Sequence, residues 1–180
     1  MEGEPVDGKR DNIRWECGTC GQQHRGLATV FGAQAPDPWV LATASERQAG
    51  ELTADMCVIE IKGEQHYFLR GHVEIPVIDV PGDVFSWSAW VSLSQESMQK
   101  IADHWDDPAR ASLPPVFGWL CNELPYDHST ISIPTHVHNR DPGVVPYIQL
   151  DPSVDHPLVK EQETGISLHR LAEINNAVMG

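Results

Sequence analysis

No stretch of this chain is long and apolar enough to read as a membrane span, and its opening residues, MEGEPVDGKRDNIR, lack the apolar core of a signal peptide. The expectation is a soluble, cytoplasmic protein. Basic residues are scarce: 12 Lys and Arg stand against 26 Asp and Glu, a net charge of -14 with histidines neutral. So acidic a chain repels phosphate backbones and anionic lipid surfaces at long range. This argues against nucleic-acid and membrane partners, and leaves a protein partner or a small-molecule ligand open. Four cysteines in 180 residues are too few for a disulfide-stapled secreted scaffold, so reduced thiols are expected. Also missing are a glycine-rich phosphate loop, an H-E-x-x-H pair and a serine in a nucleophile elbow, so no catalytic class emerges from motifs.

What is present is patterned as an α+β chain. At 41% hydrophobic content the length suits one well-packed core, with residues 1–13 expected as a disordered tail and 14–180 as a single domain. In HYFLRGHVEIPVI, from His66 to Ile78, Tyr67, Leu69, Val73 and Ile75 alternate with His66, Phe68, Arg70, His72 and Glu74, the two-residue period of a strand. PGD at 81–83 is a turn signal, and FSWSAWVSLS alternates again, with Phe85, Trp87, Ala89, Val91 and Leu93 opposite Ser86, Ser88, Trp90 and Ser92. The two runs predict an antiparallel hairpin. Shorter strands are expected at 116–121, 131–138 and 144–150.

Ser94 caps a helix carrying Met98, Ile101 and Trp105 on one face, and Ser167 caps a C-terminal helix with Leu168, Leu171, Ile174 and Val178 as its stripe. A further helix starts at Ala44. Strands in the middle and helices around them predict an antiparallel sheet packed against helices on one face, with an N-terminal zinc-knuckle-like turn.

That turn is WECGTCGQQHRG, Trp15 to Gly26. A C-x-x-C-G bend lets the Cys17 and Cys20 thiolates reach one zinc ion, and His24 follows closely enough to be a third ligand. The redox reading of such a pair wants a helix directly after it, and GQQHRG is polar and glycine-flanked instead. A structural site needs a fourth ligand, for which Cys57 in the run CVIEI, or His156 in DHPL, is the candidate. Four protein ligands would mark a structural ion, and three with a water a catalytic one. Cys121, in GWLCNEL, reads as a small buried hydrophobe.

A second constellation lies on the polar face of the proposed sheet. Arg70, His72 and Glu74 share one face of a strand, and His136 and His138 share a face of another. Arg70 is suited to clamping an anionic group, and histidines to binding metal or moving protons; the plainer reading is the solvated side of a sheet. Arg70 and Glu74 are about 13 Å apart along a strand rising about 3.3 Å per residue, so each must find its partner on a neighbouring element.

The strings CGTCGQQHRGL, LTADMCVIE, YFLRGHVEIPV, WSAWVSLS, FGWLCNELP and DHPLVKEQETGIS span nearly the whole chain. In them the chain resembles the bacterial domain-of-unknown-function family twenty-one ninety-nine. The resemblance implies no reaction, and it draws attention to Cys17, Cys20, His24, Cys57, Arg70, Glu74 and His156. The expectation is a zinc-binding accessory or interaction module, with a metal-dependent enzyme acting on a small polar or anionic substrate as the alternative.

Overall fold

The structure, a computed structural model, describes residues 14–16 and 23–179. Cys17, Cys20 and the expected tail lie outside the described residues. The strand β1 (Arg14–Glu16) pairs antiparallel with β2 (Gln23–Arg25), Glu16 opposite Gln23 and Arg14 opposite Arg25. A separate eight-stranded sheet is built on β6 (Glu64–Pro76) and β7 (Val84–Leu93), which form the expected hairpin in register from Tyr67↔Leu93 to Pro76↔Val84. Proline sits on the last residue of β6, where a missing amide costs the ladder least. The chain then turns back through Gly82 at φ +86°, a left-handed conformation that glycine adopts without strain.

Three shorter strands follow: β8 (Val116–Leu120), β9 (Pro134–His138) and β10 (Tyr147–Leu150). Each pairs antiparallel with its predecessor, Val91↔Leu120 joining β7 to β8, Val116↔Val137 joining β8 to β9, and Tyr147↔His138 joining β9 to β10. The expected antiparallel sheet packed against helices is met in part, because the sheet also closes on itself. After four antiparallel steps β10 runs in the direction of β6 and pairs with it in parallel at Tyr147↔His72, the His72 amide donating to the Pro146 carbonyl at 2.8 Å. The sheet thus closes into a five-stranded barrel. Inside it lie Leu69, Val73, Ile75, Phe85, Trp87, Ala89, Val91, Leu120, Val137 and Ile148, all buried. Closure brings strands close together at Gly71, where a Cβ would stand 2.7 Å from the Ile148 side chain and 3.0 Å from the Pro146 carbonyl oxygen.

Outside the barrel the wall is extended on both sides. The first half of β6 pairs with β5 (Met56–Ile61), itself edged by β4 (Glu51–Leu52), and β3 (Val30–Gly32) pairs parallel with β7. A second apolar cluster of Ala42, Cys57, Ile59, Phe68 and Trp90 fills this outer side, with Trp39, Leu52 and Cys121 packed against it. It is covered by two short helices, α1 (Asp37–Leu41) and α2 (Ala44–Ala49), the second opened by a Thr43–Glu46 capping box. Cys121 is half-buried there, its thiol donating to the Trp119 carbonyl at 3.3 Å.

Helix α3 (Gln95–Asp103) is capped by Ser94 and buries Met98 and Ile101, but it stops before Trp105, which packs on the core from the turn beyond. Helix α4 (Pro157–Thr164) was not anticipated, and α5 (Leu168–Met179) buries Leu171 and Ile174 while leaving Val178 43% exposed. A partly buried chain of hydrogen bonds ties α4 to the barrel and to α5. The Trp87 indole N–H donates to the Tyr126 hydroxyl (3.0 Å), that hydroxyl to Glu161 (2.6 Å), and the Arg170 Nε to the other oxygen of Glu161 (2.6 Å). No helix among the described residues is long and apolar enough to cross a membrane.

Candidate functional site

Barrel closure brings residues from four strands into one row on the outer wall. Ser88 of β7, His72 of β6, Tyr147 of β10 and His138 of β9 stand in direct cross-strand register. Arg70 and Glu74 flank His72 on β6. Of the five residues expected on a polar face, four therefore meet here, and the fifth, His136, stands exposed two positions along β9, beside Phe117 with ring centroids 5.9 Å apart.

Arg70 and Glu74 each find a partner off their own strand. The Arg70 guanidinium donates to the Ala54 carbonyl (2.7 Å), the Ser88 hydroxyl (3.1 Å) and Asp55 (3.0 Å). Glu74 is held by a single guanidinium nitrogen of Arg140, at 2.9 and 2.7 Å to its two oxygens, and Arg140 lies 5.2 Å over the Tyr147 ring. His138 bonds Gln149 at 2.8 Å. The His72 ring makes no hydrogen bond among the described residues. Burial lowers its pKa below the usual imidazole range and the Arg70 guanidinium pushes the same way against the Glu74 carboxylate, which favours the neutral ring. Burial also raises the Tyr147 pKa, with Glu74 adding to it. The face thus combines two guanidinium–carboxylate pairs, whose charges cancel, with a neutral imidazole between them. Such a surface can donate and accept hydrogen bonds without offering net charge.

Asp55, Ser88, Arg140 and Tyr147 complete this face and were not singled out in the sequence. Only the parallel seam puts Tyr147 beside His72, and nothing in the spacing of the two residues signals it.

The expected metal ligands are placed as follows. Cys17 and Cys20 lie outside the described residues, and His24 stands opposite Trp15 on β2. Cys57 is fully buried among Ile59, Phe68 and Trp90, and burial pushes its thiol up to about 12. The thiolate a metal requires is strongly disfavoured in those surroundings. His156 caps α4: its Nδ1 accepts the Leu158 amide at 3.0 Å, so its Nε2 carries the proton and donates to the His128 carbonyl at 3.0 Å. In that tautomer both ring nitrogens are engaged, one as acceptor and one as donor. Among the described residues no three His, Cys, Asp or Glu side chains are grouped to hold an ion.

No curated protein and no solved structure matches the chain. The family model described as "Uncharacterized protein conserved in bacteria (DUF2199)" matches residues 16–166, and the chain belongs to that family.

Proposed function

We propose that this chain is a zinc-binding accessory or interaction module of the cytoplasm, its ion held by the Cys17 and Cys20 thiolates with His24 as third ligand. The observation that carries the reading is the antiparallel pairing of β1 with β2, Glu16 opposite Gln23, which makes the C-x-x-C segment the connection of a two-stranded ribbon. Two thiolates in a C-x-x-C spacing can share one ion, and paired strands on either side of that segment support such a site. Cys57 can serve as fourth ligand only by leaving its apolar cluster. The vertex therefore separates accessory module from enzyme: a protein ligand there makes the ion structural, and a water makes it a Lewis acid for a small polar or anionic substrate. The neutral His72 among paired charges is what favours the enzyme reading.

Elemental analysis of protein purified without chelator is expected to give about one zinc per chain. X-ray absorption should show two sulfur neighbours at about 2.3 Å. Cys17→Ser and Cys20→Ser should each lose the metal and melt lower, because binding energy at such a site is partly folding energy, while Cys57→Ala keeps it. Zinc-free wild-type protein, or a Cys17→Ser/Cys20→Ser double variant that retains its zinc, overturns the proposal.

A further inference from the structure

Phe117 and Trp119 occupy alternate outward positions of β8 and stand 47% and 45% exposed, their rings edge to face at 4.9 Å and 88°. Large aromatics seldom stand so open in water unless something covers them. These two form one wall of a cavity of about 390 Å³, which runs across the barrel end to Tyr67 and Gln65 on β6 and to Ser97 in the first turn of α3. That volume is within the range of small-molecule sites.

The lining chemistry narrows the occupant. Among the described residues no Asp, Glu, Lys or Arg lines the cavity, on a chain whose net charge is -14. An anionic ligand would be repelled by the protein as a whole, and a cation would find no counter-charge in the cavity. What the rim offers is hydroxyl, imidazole and amide. The Tyr67 and Ser97 hydroxyls and the His66 ring make no hydrogen bond among the described residues, and the Gln65 amide nitrogen only reaches Glu60 at 3.4 Å, leaving its carbonyl oxygen open. Groups that both donate and accept match ligand hydroxyls, which do the same. The aromatic geometry removes the other neutral candidate. A flat heteroaromatic ring is best held between parallel faces, and rings crossed at 88° present one open face and one edge.

We propose that this cavity is a binding site for an uncharged saccharide, with one apolar sugar face laid on Trp119 and the hydroxyls reaching Tyr67, Ser97 and Gln65. The site is independent of the metal, and the experiment works on protein with or without zinc. Saturation-transfer and chemical-shift NMR of the full chain are run against neutral oligosaccharides of glucose, galactose, mannose and N-acetylglucosamine, with a uronic acid and a nucleoside as competing chemistries. At least one neutral sugar should bind with a Kd at or below about 1 mM, as about 4 kcal/mol of contact would give. Trp119→Ala and, as a milder change that leaves the aromatic wall intact, Ser97→Ala should each weaken it, the first by more than tenfold, with the far-UV spectrum unchanged. The proposal is overturned if no neutral sugar binds at about ten times that concentration, if the nucleoside or the uronic acid binds more tightly, or if both variants bind like the parent.

Discussion

At the scale of single residues, burial decides the chemistry of Cys57. The thiol is wholly enclosed, and its pKa rises from an ordinary 9.0 to about 12 because the thiolate cannot be solvated there. The folded state therefore holds its proton more tightly than the unfolded chain. The resulting stabilisation is complete below about pH 9 and is lost as pH climbs towards 12, with a slope of at most about 1.4 kcal/mol per pH unit from this group. Urea midpoints measured between pH 8 and 10.5 should fall more steeply for the parent than for Cys57→Ala. Parallel slopes would mean that the thiol is not enclosed as described.

Arg110 shows the opposite case, a charge buried without a carboxylate among the described residues. Its guanidinium donates to the carbonyls of Arg140 (2.7 Å), Trp105 (2.9 Å), Asp141 (2.8 Å) and Val144 (2.9 Å) and lies 4.2 Å over the Trp105 ring. The planar fork of donors gathers the connection ahead of β10 onto the turn after α3, a task for which a lysine lacks the geometry. Nothing in DDPARASLPP signals this, because the partners are backbone carbonyls and carry no residue identity. The polar face was half legible for the same reason. Alternation along one strand placed Arg70, His72 and Glu74 together, whereas Arg140 and Tyr147 join them only through pairing between distant strands.

At the scale of elements, the barrel follows from counting. An up-and-down meander of five strands returns its last member parallel to its first, so closure requires one parallel seam, the β6–β10 pairing at His72. The seam needs close approach, and Gly71 supplies it. Gly71→Val should therefore cost on the order of 2 kcal/mol or more, through overlap with Ile148 and the Pro146 carbonyl, and should speed exchange of the His72 amide. Gly63→Ala is the control: its φ of +82° brings strain, but nothing lies within 4 Å, so about 1 kcal/mol is expected. Equal losses in urea unfolding for the two would show that crowding at the seam is absent.

The strand alternation and the serine caps of α3 and α5 were readable because they are local. The parallel seam is not local, and the period of a strand is identical in an open sheet and a barrel. Helix α4 is marked in the sequence only at its ends, by Pro157 in its first turn and Gly165 at φ +81° after its last. DHPL offers His156 as a candidate zinc ligand, and in the structure that histidine caps α4.

Across the whole molecule, β6 and β7 form a wall shared by two apolar clusters. Leu69, Val73, Trp87 and Val91 face the barrel interior, while Phe68 and Trp90, their neighbours in sequence, face the outer cluster with Cys57 and Ile59. Neither cluster can lose this wall without exposing the other. The acidic surface charge, by contrast, bears on which partners approach and says nothing of this arrangement.

That wall also dictates an order of events in time. The β6–β7 hairpin joins residues separated by one short turn, whereas the seam joins His72 to Tyr147, 75 positions further along the chain. Loop-closure entropy must be met before the distant contact returns anything, so the hairpin assembles early and β10 docks last. Pulse-labelled hydrogen exchange during refolding should protect amides in the middle of β7 before those of β10, with the His72 amide, whose acceptor is the Pro146 carbonyl, among the late group. Simultaneous protection of all of these would argue against that order. Until β10 arrives the chain is an open sheet with two bare edges, and it is in that interval, rather than in the finished barrel, that the molecule is most exposed to pairing with its own copies.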